Sequence, residues 1–255
     1  MTKRELLSLV VDRVLFWLSV PKCVGCGEFL EFREPALCPK CKEKYAEQKS
    51  RICSRCNKKI NECFCSNFYL EKHHIKKLAK VYRYFPFKHE LPGNLLIYSL
   101  KHDNRRDTVA FLADELSESI KSNIGEFSAE NFVITNVPRR KAAIREDGYD
   151  HAEVLAKAIS KILGIKYEKI LVNLAKKSQK KTQGIERAEN AKFNYARRRS
   201  RLDLRGKTVI IIDDVVTTGS SIGYCASLLK GLRPKEIIGA TISIAYKDSY
   251  IKPES

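Results

Sequence analysis

The chain has 255 residues, of which 44% are hydrophobic and 31% charged. That length and balance permit one large or two smaller cores and exclude a wholly disordered chain. The formal net charge of +18 attracts polyanions: nucleic acid, phosphorylated metabolites or an acidic membrane surface, the plain alternative being a solvated basic surface.

Residues 1–22 come first. Leu6, Leu7, Val10, Val11, Val14, Leu15 and Leu18 recur at helical spacing, interrupted by Asp12 and Arg13. The stretch is too short and too charged to span a bilayer, and it has no small-residue cleavage site. It predicts an amphipathic helix packed on the protein, with a membrane-surface helix as the alternative. With no export signal and no transmembrane segment, the expected compartment is the reducing cytoplasm, where paired cysteines bind metal rather than each other.

Eight of the nine cysteines lie in residues 23–70, as Cys23-Val-Gly-Cys26, Cys38-Pro-Lys-Cys41, Cys53-Ser-Arg-Cys56 and Cys63-Phe-Cys65. Each short pair lets a tight turn aim two thiolates at one ion, and two turns complete a closed tetrahedral site. The expectation is a double zinc ribbon with two structural zinc sites. Cys23, Cys26, Cys38 and Cys41 form one, and Cys53, Cys56, Cys63 and Cys65 the other. Interleaved pairing and an iron–sulfur cluster use the same ligands and stay open. Gly25 and Gly27 suit the knuckle turn. Arg51, Arg55, Lys58 and Lys59 surround the second site and could meet phosphates or simply be solvated. Cys225 stands alone in an apolar helical pattern and reads as a buried small hydrophobe.

Beyond the cysteines, strands are expected at 80–85, 132–137, 165–171, 209–212 and 237–245. Helices are expected at 91–100, at 151–163 with Gly164 just past the end, at 222–229, and after Thr108 as a cap. Residues 176–201 are polar and basic without a clean period. Strands alternating with helices predict an α/β domain over 79–250, built on an open, mostly parallel sheet.

After the apolar run Val209-Ile-Ile-Ile212 stand two acids, a Thr/Gly/Ser turn and a helix. Ligands of open α/β sheets bind at that end of a strand. Thr217, Thr218, Gly219, Ser220 and Ser221 offer main-chain N–H groups and hydroxyls to a phosphate, with Gly219 for the tight turn and the helix amino terminus for favourable charge. Asp213 and Asp214 would repel that phosphate unless they face vicinal ribose hydroxyls or magnesium. The loop from Asp213 through Val215 and Val216 to Ser221 therefore reads a ribose 5-phosphate.

Residues 209–222 closely resemble the thirteen-residue signature of type I phosphoribosyltransferases. The wider chain resembles the ComF competence family, which joins a double zinc ribbon to such a domain. Leu96-Ile-Tyr-Ser-Leu-Lys101 is similar to that family's Leu-Ile-x-x-Leu-Lys element. Val137-Pro138 with Gly148, Tyr149 and Ala152 is similar to its pyrophosphate-loop region, and Gln183, Arg187, Asn190 and Phe193 to its mobile hood. Asp147-Gly148-Tyr149-Asp150-His151 departs from the family's usual Arg-Gly-Phe-Asn-Gln. The resemblance implies binding of phosphoribosyl pyrophosphate with magnesium. Asp213 and Asp214 would serve as the catalytic acids on the ribose, with help to magnesium, and Lys101, Arg139 and Arg140 would neutralise pyrophosphate. Residues 176–187 would close as a hood. It also implies a role in DNA uptake, with single-stranded DNA and a competence helicase as partners, and Tyr195 and Arg197 to Arg199 suited to stacking and phosphate contact. Two other readings stand beside it: an active transferase with an unknown nitrogenous acceptor, and a nucleotide-sensing regulator.

Overall fold

A computed structural model describes residues 20–32, 34–84, 88, 90–103, 105–175, 195–198 and 203–245. The helix expected at 1–22, apart from its last three residues, and the hood at 176–187 lie outside the described residues. In chain order the structure has α1 (Pro39–Lys49), α2 (Phe68–Lys72), β1 (Lys77–Arg83), α3 (Pro92–His102), α4 (Arg106–Ile124), β2 (Phe132–Asn136), α5 (Lys141–Asp147), α6 (His151–Leu163), β3 (Leu171–Asn173), β4 (Tyr195–Arg197), β5 (Thr208–Val216), α7 (Ser220–Lys230) and β6 (Glu236–Ile244). Single 3-10 turns sit at Ile60–Glu62 and Ala129–Asn131.

The fold is α/β. Four strands form one sheet in the order β1-β6-β5-β2, and every pair in it is parallel. A parallel sheet is covered on both faces, so its central strand reads as an unbroken apolar run. Thr208 to Ile212 are all buried accordingly. Alternation assigns each residue its side. Ile210 and Ile212 pack with Ala79, Val81 and the apolar stripes of α3, α4 and α6. Val209 and Ile211 pack with Leu78, Val133 and the Ile222, Cys225, Ala226 and Leu229 stripe of α7. Cys225 is fully buried, as its apolar setting predicts.

The cysteine module sits against the β1 edge, and its halves join opposite cores. Cys23, Cys38 and Cys41 pack with Leu37 and Tyr45 on the α4 side. Cys53 and Cys63 pack with Ile60, Leu70 and Ile75 on the α7 side. The chain at Phe64 and Cys65 also pairs with β1. Leu78 N donates to Phe64 O at 3.0 Å, and Cys65 faces Lys77 in an antiparallel bridge. The exposed N–H and C=O row of an edge strand is thereby covered. At the other edge Ile134 bridges Tyr167.

Several sequence expectations shift. Thr108 does not cap a helix: α4 begins at Arg106 with Arg105 at its N-cap, and the Thr108 hydroxyl is buried against Ser99 Oγ at 3.2 Å. The strand expected at 165–171 is reduced to the bridge at Tyr167. Its end becomes β3, which pairs antiparallel with β4. The central strand extends beyond 209–212 to Val216, so both acids belong to the strand. Helices α1 and α5 were not expected. The Cys-Pro-Lys-Cys turn starts α1 because a proline at the first helical position has no N–H to leave unpaired.

Because the module supplies one wall of each core and covers β1, a fragment starting at Lys77 is expected to aggregate or lose its cooperative melt. Size-exclusion and thermal unfolding measure this; a monomeric fragment melting like the full chain would contradict the edge argument.

Candidate functional site

The site lies at the carboxyl ends of β5 and β6. Parity along β5 continues past Ile212, so Asp214 emerges on the side of α3 and α6 and Asp213 on the side of α7. That placement gives Asp214 two nitrogen neighbours. Lys101, in the last turn of α3, lies with Nζ 3.0 Å from Asp214 Oδ2. His151, the first residue of α6, lies with Nε2 3.1 Å from the same oxygen. The Asp214 carbonyl accepts from Thr241 Oγ1 at 2.9 Å, which fixes the strand end. Asp213 Oδ1 accepts from Asp214 N at 3.0 Å.

The two carboxyls differ in charge. Burial opposes ionisation of Asp214, but Lys101 and His151 outweigh it and hold that group well below the usual carboxylate range. Burial first, and then the charge on Asp214, push the Asp213 carboxyl well above its ordinary value. Adjacent buried acids cannot both ionise cheaply, so one keeps its proton. Burial lowers the pKa of Lys101, yet Asp214 more than restores it, so the net shift is upward.

Behind the acids the chain turns into α7. Gly219 is the N-cap at φ +89, a left-handed conformation that glycine adopts without strain. Thr218 Oγ1 lies 2.6 Å from Ser220 Oγ. It also accepts from Ser220 N at 3.3 Å. Thr217 is exposed, Thr218 and Ser221 are half-buried, and Ser220 is buried. The loop thus presents a helix amino terminus and hydroxyls at the sheet's ligand-binding end.

The cysteine module reaches this loop from behind. Asn67 caps α2 by accepting from Leu70 N at 2.8 Å, and its Nδ2 donates to Thr218 O at 3.4 Å. Leu70 fills the space beside Gly219, where a Cβ would come within 2.6 Å of its Cδ2. His73 Nδ1 lies 3.0 Å from Ser227 Oγ on α7.

Residues 147–151, where the sequence departs from the pattern it otherwise resembles, have their own architecture. Asp147 ends α5 and ion-pairs with Arg139 at 2.6 Å. Gly148 follows in the left-handed region at φ 80. The Tyr149 hydroxyl donates to Leu100 O at 2.7 Å, tying this turn to α3. Asp150 caps α6, accepting from Glu153 N at 3.2 Å and from Arg139 N at 3.0 Å. The turn therefore delivers His151 to Asp214. Of the three predicted pyrophosphate residues, Lys101 is at Asp214 and Arg139 at Asp147, while Arg140 stands at the N-cap of α5. His151, Asn67 and Thr241 were missed. The break in the family pattern at position 151 was the available signal for the first.

The eight cysteines form two separate groups. The sulfurs of Cys23, Cys26, Cys38 and Cys41 lie within 4.8 Å of one another, as do those of Cys53, Cys56, Cys63 and Cys65. Tetrahedral Zn–S bonds of about 2.3 Å set sulfurs roughly 3.8 Å apart. Cys26 Sγ and Cys38 Sγ are 3.7 Å apart. Gly25 N donates to Cys23 Sγ at 3.3 Å. A Cβ on Gly25 would come within 2.7 Å of Cys41 Sγ, so the knuckle closes only around glycine. Gly27 adopts φ 78 as the knuckle turn requires. Both donor sets could hold zinc. Arg55 bonds to Glu71 Oε1 at 2.5 Å and Ser66 O at 3.1 Å, so it braces the module from within.

Residues 150–255 match the phosphoribosyl transferase domain family. The chain carries a phosphoribosyltransferase-like domain. The match begins at Asp150 and takes in His151, β5 with both acids, and the loop into α7. No curated protein matches the chain. Solved structures similar to it include adenine phosphoribosyltransferase from Saccharomyces cerevisiae, 11% identical over 58% of this chain and 73% of that one, with a TM-score of 0.37. A hypoxanthine phosphoribosyltransferase from Staphylococcus aureus is 12% identical over 58% and 67%, with a TM-score of 0.35. A purine phosphoribosyltransferase from Pyrococcus horikoshii Ot3 is 19% identical over 56% and 83%, with a TM-score of 0.35. Among the described residues no helix is long and apolar enough to cross a membrane.

Two outcomes follow from this geometry. A carboxyl whose folded pKa lies above its unfolded value loses stability as pH rises between the two. Asp213→Asn should therefore melt higher than the wild type at neutral pH, and the gap should close as pH falls toward about 4. Thermal melts across that range decide it; an Asn variant less stable at neutral pH would show that Asp213 is not the strained partner. Gly219→Ala should cost about 1–3 kcal/mol through the clash with Leu70 and the left-handed backbone, measured by denaturant unfolding, and Leu70→Ala should return part of that loss.

Proposed function

We propose that this protein binds phosphoribosyl pyrophosphate with magnesium at the end of β5, and that it is a ComF-type protein serving DNA uptake. One observation carries the ligand reading. Two acids near the end of the central strand are followed by a short turn into a helix amino terminus, inside the segment that matches the phosphoribosyl transferase domain family. In this reading Asp213 and Asp214 meet the ribose hydroxyls. Val215 and Val216 bring the strand to its turn, and Thr217, Thr218, Gly219, Ser220 and Ser221 hold the 5-phosphate. Lys101, Arg139 and Arg140 neutralise the pyrophosphate. Magnesium bound with the ligand would neutralise charge on its diphosphate beside Lys101 and Asp214.

The ion triad adds a role for ligand exchange. Lys101 and His151 already occupy Asp214. Asp213, less buried than Asp214, is the acid that turns first to the sugar. As the anionic ligand arrives, Lys101 sits at the boundary between carboxylate and diphosphate and serves both. Positioning and charge neutralisation then supply most of what a transferase needs.

The DNA part rests on the +18 charge and on the ComF resemblance. In that reading residues 23–70 are a zinc-loaded ribbon presented beside the nucleotide domain at 79–250, and a helicase of the uptake machinery is the partner. The eight thiolates require a reducing compartment, which supports a cytoplasmic protein. The second reading, an active transferase with a nitrogenous acceptor, is favoured by the domain match itself.

Calorimetry of the full chain with phosphoribosyl pyrophosphate and magnesium should show binding that Asp213→Ala plus Asp214→Ala abolishes; no heat at millimolar ligand overturns the proposal. Pyrophosphate release over a panel of nucleobases and ammonia sources separates transferase from binder. Affinity for single-stranded DNA should fall steeply with salt, and an absence of salt-dependent binding removes the DNA role alone.

A further inference from the structure

Alternation places Lys80 on the α7 side of β1, next after Leu78, where a hydrophobe would ordinarily stand. Its side chain is 1% exposed. Nζ donates to Cys63 O at 2.8 Å, Cys65 O at 2.9 Å and Leu78 O at 3.1 Å. It also lies 3.4 Å from Cys63 Sγ. Four acceptors thus surround a group with three N–H donors. All are carbonyls or sulfur, and none is a carboxylate. The ammonium thus faces the second cysteine cluster, with Cys63 Sγ in direct contact.

A buried ammonium costs several kcal/mol unless something nearby carries the opposite charge. Neutral thiols would not. Four thiolates around a divalent ion leave the group with two net negative charges, and on the side of Lys80 they are buried, since Cys63 is 0% and Cys53 4% exposed. The other cation acting on these cysteines, Arg55, is exposed and already paired with Glu71, so Lys80 is the buried counterpart. The first cluster is built differently. Its sulfurs meet main-chain N–H groups, Gly25 and Cys38 at 3.3 Å to Cys23 Sγ, while Cys26 Sγ lies 3.7 Å from Cys38 Sγ and 3.6 Å from Glu28 Oε2.

We propose that Lys80 is the counter-charge of the second cysteine cluster: a positioning residue whose ammonium holds Cys53, Cys56, Cys63 and Cys65 as a metal-bound tetrathiolate and welds that site to β1. This rests on the reading of the cluster as a metal site. The consequence is asymmetric. The second cluster keeps its metal through a buried charge donated by the α/β domain, whereas the cation that domain brings to the first, Arg105, bonds to Lys22 O and is already paired with Asp107. The main chain of Lys80 is fixed as well, because its carbonyl accepts from Ser119 Oγ at 3.1 Å, and the same hydroxyl donates to Asn61 O at 2.9 Å.

The test uses the full chain loaded with zinc. A chelator is added in steps, and a thiol alkylator with peptide mapping reports which cysteines have lost metal. Lys80→Met, of similar volume and no charge, should weaken retention at Cys53–Cys56–Cys63–Cys65 by roughly 10- to 100-fold, with release from Cys23–Cys26–Cys38–Cys41 unchanged. Lys80→Arg should restore part of it. A merely structural lysine would leave the order of release as in the wild type, and that result overturns the proposal. If Lys80→Met does not fold, the wild type decides. Lys80 should resist amine acetylation while zinc is bound and become labelled as the four cysteines open; protection that survives metal loss overturns the proposal. Less than one equivalent of zinc bound by the wild type would sink the metal reading itself. Two equivalents with unaltered release in Lys80→Met sinks only the role of Lys80.

Discussion

Two adjacent carboxyls at the buried end of a central strand cannot both be ionised without counter-charge. Much of the domain is arranged around that fact. Period-two alternation separates Asp213 from Asp214, and the face that receives Asp214 is the face on which α3 and α6 pack. Lys101 arrives from the last turn of one helix and His151 from the first turn of the other. Each helix end is fixed independently: Tyr149 bonds to Leu100 O beside Lys101, and Asp150 caps α6 just before His151. Neither side chain therefore floats toward the acid. They are delivered by backbone elements whose positions follow from packing against Ile210 and Ile212.

The same economy governs the sheet edge. A four-stranded parallel sheet leaves two rows of unpaired main-chain groups and an apolar face at each end. The cysteine module meets both needs at β1. It places one cluster in each core and a bridging segment along the strand. A zinc ribbon is often pictured as an appendage on a flexible stem. Here Leu37 and Tyr45 on one side, and Ile60, Leu70 and Ile75 on the other, make it part of the folding unit.

How much of this was legible in the sequence depends on range. Local patterns read well. The run 209–212, the helix 151–163 closed by Gly164 in the left-handed region, and the grouping of cysteines by spacing all appear where residue chemistry puts them. Long-range contacts did not read. Thr108 has the composition of a cap, but Asp107 and Arg105 form the helix start, and the threonine hydroxyl finds a buried partner on α3 instead. The sequence 147–151 read only as a departure from the usual pattern of the family it resembles. In space it is a turn that carries His151 to an acid more than sixty residues later. Lys80 looked like one polar residue in an alternating strand, because nothing local announces that the facing surface is a cluster of sulfurs. Register and burial carry that information, and a one-dimensional pattern holds only half of it.

These contacts bear on how the ligand loop holds its shape. A turn that grips phosphate through main-chain N–H groups must have those groups aimed before the ligand arrives, or binding pays for ordering them. The front of the loop, at Thr217, is open to solvent. Its back is closed by Leu70 against Gly219 and by Asn67 against Thr218 O. Both residues sit on the helix that follows Cys65 within a few positions. The second cysteine cluster is thus at once the anchor of Lys80 and the base of α2, and whatever holds that cluster together also sets the rear wall of the loop. The arrangement gives the loop a rigid support behind and leaves its mouth open at Thr217, as the proposed anion requires.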